Sequence, residues 1–372
     1  MVDTSRLGNE MYDFSKQISK FHDDHVRLTR QQQADMRGRR DTNVRRIEDG
    51  LKELDKPSLA ETIPQGGYKQ KSMTQPPESD KVSRYDIDLG VVFEEEDAKG
   101  PRTTKGWVLS AIARKAKGLM KNEPEAKPKC VRVIYADGYQ CDFAVMRRRW
   151  NGAQYVYELA AGNEWVATDP RAMNAWVDEE VIRKSPEEVG SSQARRQVRL
   201  GKFFCKTHAH RTSAKFPAGL MATAIFLDHY VAIAGRDDDS FRETLRAISY
   251  RHPQQPVFAN GQQISDEKDM KRIERLVAQA KASVDVLDAV GDGATEEKVA
   301  KAWRKLFRHS FFDEIAEAAS AAKALETKSA FGGAALASPH VAAKPAAAER
   351  LERMRADVDS RRGSSTGAPW SR

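Results

Sequence analysis

The stretch "RYDIDLGVVF", residues 84–93, places two carboxylates, Asp86 and Asp88, at the start of an apolar, β-branched run. Side chains in a strand alternate between its two faces, so both acids project from one face and Ile87 from the other. Two carboxylates this close repel each other, and burial makes it costlier to keep both charged unless a cation lies between them. The stretch predicts a buried strand that begins with a divalent-metal site. The alternative is an acidic strand edge that only closes a turn or aids solubility.

A third acid interrupts a later strand-like run. Asp142 stands in "YQCDFAVM", residues 139–146, where a lone carboxylate needs a metal or a buried partner to offset its burial. Oxygen ligands with no Cys or His cluster nearby favour Mg²⁺ or Mn²⁺ over zinc. Three acids on adjacent strands can hold two such ions, which activate an attacking hydroxyl and stabilise a leaving pyrophosphate.

A glycine pair precedes the acidic strand. In "PQGGYKQKSMTQ", residues 64–75, Gly66 and Gly67 stand beside basic and hydroxyl side chains. Backbone amides without a Cβ can approach a triphosphate closely, so the stretch indicates a phosphate-binding turn. The spacing is not that of a Walker A loop, and an ordinary polar turn is the alternative.

Length and composition limit the class of protein. A chain of 372 residues can form a catalytic domain and a second packing unit, and its net charge of +8 suits polyanionic ligands such as nucleotides. The three cysteines, Cys130, Cys141 and Cys205, form no CxxC pair, which argues against a disulfide framework and for the reducing cytoplasm. No apolar run reaches the roughly 18 residues of a membrane span, and we expect no membrane partner.

Periodicity divides the chain into four parts. Apolar residues at three- and four-residue spacing over 4–55 predict a long N-terminal helix, strand and hairpin patterns dominate up to residue 169, and helical patterns follow. The Ala- and Gly-rich end predicts a flexible tail. The predicted fold is therefore α+β, with these parts: an N-terminal helix (1–56), a mixed-sheet catalytic core (57–170), a helical lobe (171–325) and the tail (326–372).

The motifs together resemble one family. "PQGGYKQKSMTQ", "RYDIDLGVVF", "YQCDFAV" and the W-x-x-x-D-P pattern at Trp165–Pro170 are similar to the bacterial cGAS/DncV-like branch of the polymerase-β-like nucleotidyltransferases, over residues 60–235. Those enzymes make cyclic oligonucleotide signals in anti-phage defence (CBASS). The resemblance implies a polymerase-β-like nucleotidyltransferase core followed by a helical lobe. It also implies Mg²⁺-bound nucleoside triphosphates, ATP and GTP or another one, in the cleft.

The resemblance also assigns site residues. The metal ligands would be Asp86, Asp88 and Asp142, and the phosphate-binding turn would be Gly66 and Gly67.

Three further positions complete this set. Many relatives carry Ser where Gly67 stands, so the backbone amide or Ser72 would take over its contact. The family's phosphate-binding lysine corresponds to Lys206 in "RLGKFFCKTHAHR", and Lys202 lies one turn earlier on the same helical face. The alternative for the two lysines is a solvated basic face.

The sequence is compatible with three functions. The first is a synthase of a cyclic GMP-AMP-like di- or oligonucleotide, and the second is another polymerase-β-like nucleotidyltransferase that acts on RNA or protein, a tailing enzyme or a toxin. The third, a non-catalytic basic binding protein, does not explain the three acids. The modest basic excess argues against an obligate nucleic-acid partner. The family resemblance implies a product-activated effector. The tail, ending in "GAPWSR", is either a disordered end or a handle for a ubiquitin-transfer-like or regulatory partner.

Overall fold

Two lobes of different secondary structure make up residues 12–78, 86–186 and 192–331, which the computed structural model describes. One lobe is built on a mixed β-sheet and the other is helical. The predicted α+β class, with a mixed-sheet core followed by a helical lobe, is confirmed. The first 11 residues lie outside the described part of the chain.

The predicted N-terminal helix is present in two pieces. Helix α1 (Ser15–Phe21) runs into a single turn of π-helix (His22–Val26), and α2 (Arg30–Glu53) starts after a break. Thr29 caps α2: its hydroxyl accepts from the Gln32 backbone amide at 3.1 Å, and the Gln32 side chain accepts from the Thr29 amide at 2.8 Å. The break matters because α1 packs in the core of the helical lobe, whereas α2 packs on the sheet.

Seven strands form the main sheet within the described residues, in the order β1-β2-β5-β4-β3, with β6 pairing the second half of β5 and β7 pairing β6. Only the β2–β5 pairing among them is parallel, so the sheet is mixed. The strands are β1 (Glu61–Pro64), β2 (Asp86–Glu94), β3 (Glu125–Ala126), β4 (Val131–Ile134), β5 (Gln140–Trp150), β6 (Tyr155–Ala161) and β7 (Glu164–Thr168).

The two faces of the central strand β2 have different environments. Four alternate side chains pack in one hydrophobic core with α2 and with α4 (Pro101–Lys115), namely Ile87, Leu89, Val91 and Phe93. The opposite face carries Asp86 and Asp88, followed by Gly90 and Val92. The acids therefore lie on the sheet face that α2 and α4 leave uncovered.

The helical lobe surrounds helix α6 with aromatic side chains. Its elements are α5 (Ala172–Lys184), α6 (Gln193–Thr212), α7 (Gly219–Asp228), α8 (Asp237–Ser249), the short strands β8 (Phe258–Ala259) and β9 (Gln262–Gln263), α9 (Glu267–Asp288), α10 (Glu296–Phe307) and α11 (Ser310–Phe331). Phe203 and Phe204 of α6 are buried in the same core as Phe21 of α1 and Phe307 of α10. This core fixes α6, whose Lys202 and Lys206 bind the segment between β1 and β2.

The C-terminal end of the described chain is helical. Helix α11 continues to Phe331, past the predicted start of the tail at residue 326. The rest of the predicted tail, residues 332–372, lies outside the described residues. Among the helices that are described, none combines the length and the apolar character required to cross a membrane.

Substitutions at two glycines of α2 would test how closely this helix packs on α4. A Cβ on Gly50 would lie 2.6 Å from the Ala111 backbone oxygen, whereas a Cβ on Gly38 would meet nothing within 4 Å. We expect Gly50→Ala to destabilise the fold by about 1–3 kcal/mol, because one helix backbone must move. Gly38→Ala should stabilise it by about 0.5–1 kcal/mol through helix propensity. Urea unfolding of both variants measures the difference, and equal effects would contradict the close α2–α4 crossing.

Candidate active site

The strand register places three charged side chains in one row. Asp88 of β2 is the register partner of Asp142 on β5, and Asp142 is in turn the partner of Arg132 on β4. Register partners on neighbouring strands project side by side from the same face, about 5 Å apart. Asp86 is the partner of Gln140, one step along the same two strands. The strand pairing alone therefore brings the three predicted acids together.

The three carboxylates form a cluster. Asp86, Asp88 and Asp142 each offer one oxygen, and these oxygens lie within 4.8 Å of one another. Asp86 lies at the open edge, and the other two are partly buried. Burial and the negative charges of Asp86 and Asp142 raise the pKa of Asp88 to about 7. Desolvation and the charge of Asp142 also raise the pKa of Asp86.

A cation bound among these oxygens would offset the burial and the mutual repulsion that raise the pKa values of Asp86 and Asp88. Carboxylate oxygens are the ligands that Mg²⁺ and Mn²⁺ prefer, and no Cys or His belongs to the cluster. The donor set therefore fits a hard divalent ion, as the sequence predicted. The same cluster in an apo protein is electrostatically unfavourable.

Arg132 is a member of the site that the sequence did not reveal. Its guanidinium donates two hydrogen bonds to Asp142, from Nε to Oδ1 at 2.9 Å and from Nη2 to Oδ2 at 2.6 Å. The hydrogen bond to Asp142 raises the pKa of Arg132 further. Gln140 also donates, through Nε2, to Asp86 Oδ1 at 3.2 Å and to Asp142 Oδ1 at 3.4 Å. These donors orient the carboxylates of the cluster.

The glycine pair lies against the acids. Gly66 opens a short helical turn, α3 (Gly66–Lys69), with φ +62°, and a Cβ at this position would fall 1.9 Å from Asp88 Oδ2. The preceding backbone is tied to the same strand, because the Gln65 amide donates to the Asp88 carbonyl at 3.0 Å. Position 66 therefore requires glycine both for its left-handed backbone and for the space that Asp88 occupies.

The predicted lysines reach this turn from α6. Lys202 Nζ donates to Ser72 Oγ at 2.9 Å, and a Cβ on Gly67 would lie 3.3 Å from that nitrogen. Lys206 Nζ donates to the Thr74 carbonyl at 3.2 Å. Lys202 is buried, so it does not belong to a solvated basic face, whereas Lys206 is exposed.

Burial of Lys202 has an electrostatic consequence. Desolvation and the positive charge of Lys206 lower the pKa of Lys202 to about 7, although Asp88 acts in the opposite direction. A bound anion would favour the charged amine and restore its pKa. The site therefore combines carboxylates on the sheet with amines on α6. The phosphate-binding roles of Gly66, Gly67, Ser72, Lys202 and Lys206 stay predictions that this placement supports.

The W-x-x-x-D-P motif at Trp165–Pro170 makes hydrogen bonds to nearby backbone groups. Trp165 Nε1 donates to the Lys99 carbonyl at 3.2 Å, and Asp169 Oδ1 accepts from the amides of Arg171 and Ala172 at 2.9 and 3.0 Å. Asp169 therefore binds the backbone at the start of α5, directly after the end of β7.

Residues 60–146 match the family model described as "Cyclic GMP-AMP synthase DncV-like, nucleotidyltransferase domain". The chain is also similar in structure to Vibrio cholerae DncV, a cyclic AMP-GMP synthase and prokaryotic cGAS homolog, with TM-score 0.61 and 13% identity over 80% of this chain and 96% of that one. It is similar to E. coli MS115-1 CdnC from a CdnC:HORMA-deltaN complex, with TM-score 0.58 and 16% identity over 80% and 98%. A DncV structure with the linear intermediate 5′ pppA(3′,5′)pG gives TM-score 0.62 at 13% identity over 80% and 96%.

The mixed sheet and the helical lobe of this protein therefore have a nucleotidyltransferase fold, in which the sheet carries the acidic side chains. Residues 60–146, which match the DncV-like nucleotidyltransferase model, contain Asp86, Asp88 and Asp142 as well as the glycine pair. The resemblance to the cGAS/DncV-like nucleotidyltransferases that the motifs indicated is confirmed. Lys202 and Lys206 lie beyond the matched residues.

The raised pKa of Asp88 predicts a pH-dependent stability. In EDTA the native protein keeps the Asp88 proton up to pH of about 7, whereas an unfolded Asp loses it near 4, so ionisation of Asp88 destabilises the fold as pH rises between these values. The Tm of Asp88→Asn minus that of wild type should therefore increase from about pH 5 to 8. Mg²⁺ at the higher pH should raise the wild-type Tm far more than that of the variant.

Asp97→Asn, an exposed acid beyond the other end of β2, is the control for this measurement. Its Tm should follow that of wild type at every pH, with and without Mg²⁺. A pH-independent difference for Asp88→Asn would contradict the assigned electrostatics.

Proposed function

We propose that this chain is a metal-dependent nucleotidyltransferase that condenses nucleoside triphosphates into a cyclic di- or oligonucleotide, with release of pyrophosphate. The observation that carries the proposal is the arrangement of charged groups: a cluster of three carboxylates and a glycine turn, both in the residues that match the DncV-like model, lie near Lys202 and Lys206 of α6. A triphosphate with its cation needs both negative and positive ligands, and this site has both.

Nucleotide complexes of structurally similar proteins support the choice of substrate. DncV has been solved with nonhydrolyzable GTP and with a linear pppA(3′,5′)pG intermediate, and CdnC has been solved with ATP. For this chain we propose ATP, together with GTP or another nucleoside triphosphate. Linkage, base identity and ring size depend on the pocket around the bases.

Asp86, Asp88 and Asp142 would hold two Mg²⁺ or Mn²⁺ ions. When bound, such ions supply Lewis-acid stabilisation of phosphate charge and favour the deprotonated form of an attacking hydroxyl. Lys202 and Lys206 bind the non-bridging phosphate oxygens, and Gly66 and Gly67 let backbone amides approach them. Arg132 keeps Asp142 oriented toward the other two acids through its two hydrogen bonds.

The reaction is an in-line displacement. A ribose hydroxyl oxygen forms a bond to the α-phosphorus of a second nucleotide, and the bond from that phosphorus to the bridging oxygen breaks. Pyrophosphate leaves, and the hydroxyl proton passes to water or to a carboxylate oxygen of the cluster. Closing the ring repeats the step within the linear product, so one site performs both condensations.

The biological setting is proposed from the family. A cytoplasmic cyclic nucleotide made in anti-phage signalling requires an effector protein that the product activates. Because CdnC was solved in a complex with HORMA-deltaN, a regulatory protein partner is also proposed for this chain. A ubiquitin-transfer-like partner for residues 326–372 stays a prediction.

The function is tested by incubating the full chain with radiolabelled ATP and GTP and Mg²⁺, then treating the products with phosphatase. We expect a small, phosphatase-resistant product, because a ring has no terminal phosphate. EDTA should abolish it. The Asp86→Ala/Asp88→Ala variant should reduce synthesis by at least about 10³-fold while it keeps or raises the Tm, since the carboxylate repulsion is removed.

A matched variant with two exposed acids beyond the other end of β2, Glu96→Ala/Asp97→Ala, should keep wild-type activity. Only phosphatase-sensitive products, or label that ends in RNA or protein, would favour a tailing enzyme or toxin instead. Undiminished product from Asp86→Ala/Asp88→Ala would overturn the assignment of the acids.

A further inference from the structure

Four basic side chains of α6 lie on one face of the helix. They follow one another at spacings of four, three and four residues, which places them along one helical stripe. Each donates a hydrogen bond to the segment after the glycine turn. The pairs are Arg195 to the Gln70 carbonyl, Arg199 to the Lys71 carbonyl, Lys202 to the Ser72 hydroxyl and Lys206 to the Thr74 carbonyl.

The order of the pairs shows how the segment lies on the helix. From Arg195 to Lys206 the helix rises about 16 Å, and four residues of extended chain span at most about 14 Å. The segment 70–74 therefore runs along α6 in the same direction, one partner after another. Because α6 belongs to the helical lobe and the segment follows the glycine turn of the sheet lobe, the pairs join the two lobes.

Lys71 forms a left-handed turn in this segment, directly after Gln70, whose backbone is helical. Its φ of +53° is left-handed, a conformation that costs a non-glycine residue roughly 1–2 kcal/mol. The two guanidiniums hold the carbonyls on both sides of this residue: Arg195 binds Gln70, and Arg199 Nε donates to Lys71 at 2.8 Å. The backbone amide of Ser72, the next residue, donates to the Gly67 carbonyl at 2.9 Å.

The arginines and the lysines differ in how they are held. Arg195 also binds Asp178 at 2.8 Å, and Arg199 is partly buried, with its pKa lowered to about 9 by burial and by Arg195 and Arg27. Burying a cation near other cations is unfavourable unless hydrogen bonds compensate for the lost hydration, and for Arg199 the Lys71 carbonyl accepts such a bond. A guanidinium has several N–H donors in a fixed plane, so Arg195 holds the Gln70 carbonyl and Asp178 at once, whereas the compact ammonium on a flexible lysine side chain can exchange a loop oxygen for a phosphate oxygen.

We infer that Arg195 and Arg199 are positioning residues for the nucleotide-phosphate site, a role that rests on the proposed function. They hold the left-handed turn at Lys71, and this turn presents Ser72 and Thr74 to Lys202 and Lys206. Neither arginine needs to touch the nucleotide. Their effect on catalysis passes through the backbone of residues 70–72.

A double-mutant cycle on Arg199 and Lys71 tests this role in the full chain. Arg199→Met should raise the KM for whichever of ATP or GTP the wild type consumes by about tenfold and change kcat by less than about threefold, because the turn loses its clamp but the acids stay in place. Lys71→Gly, which adopts a positive φ without penalty, should bring the KM of Arg199→Met back to within about threefold of that of Lys71→Gly alone.

Hydrogen exchange gives a readout that does not depend on activity. The amides of Gln70, Lys71 and Ser72 should exchange at least about tenfold faster in Arg199→Met than in wild type, and Lys71→Gly should reverse most of this increase. Arg183→Gln removes an exposed cation of α5, and it should change neither KM nor exchange.

Three results would overturn the inference: unchanged exchange and KM in Arg199→Met, a loss of kcat that follows a lower Tm at unchanged KM, or no rescue by Lys71→Gly. A wild-type protein with no nucleotide turnover would refute the proposed function instead. The exchange data and MgATP binding by calorimetry would then still decide whether Arg199 holds the turn.

Discussion

The site depends on one constraint, the parallel pairing of β2 with β5 in a register that sets Asp88 beside Asp142. This pairing places like charges side by side on a partly buried face, which is unfavourable without compensation. Arg132 compensates on one flank through its ion pair with Asp142. The positive charge of Lys202 on α6 also opposes the rise in the pKa of Asp88. Burial and the remaining repulsion still raise that pKa, and a bound divalent cation would offset both.

The segment that we propose to bind phosphate is held between the two lobes. This segment has further contacts beyond those with α6. The Gln75 side chain donates to the carbonyls of Asp24 and Arg27, at 2.9 and 2.8 Å. Thr74 forms an isolated antiparallel β-bridge with Arg27. At the far end of the segment, the Ser310 amide at the start of α11 donates to Glu78 at 2.7 Å. A substrate bound on this segment therefore contacts a surface that needs both lobes, and separation of the lobes would move the lysines away from the acids.

Much of the site followed from strand periodicity, and the remainder depended on register. The alternation in "RYDIDLGVVF" and the lone acid in "YQCDFAVM" located all three carboxylates. Arg132 was missed because its partner depends on the hairpin: a two-residue turn at Asp137-Gly138 would set Arg132 opposite Phe143, on the wrong face. The observed connection has one more residue, with Tyr135 bonded to Tyr139, and sets Arg132 opposite Asp142. The break in the N-terminal helix had a local signal in the Thr29–Gln32 capping box, but its role in separating two cores is tertiary.

The central claim is that the three carboxylates form a metal site for a nucleotide. Its most direct test is diffraction at the manganese absorption edge from crystals of the full chain grown with Mn²⁺ and a nonhydrolysable ATP analogue. The account predicts anomalous peaks among the oxygens of Asp86, Asp88 and Asp142, with the triphosphate between them and Lys202. An analogue bound elsewhere in the chain, with no anomalous density in the carboxylate cluster, would contradict it.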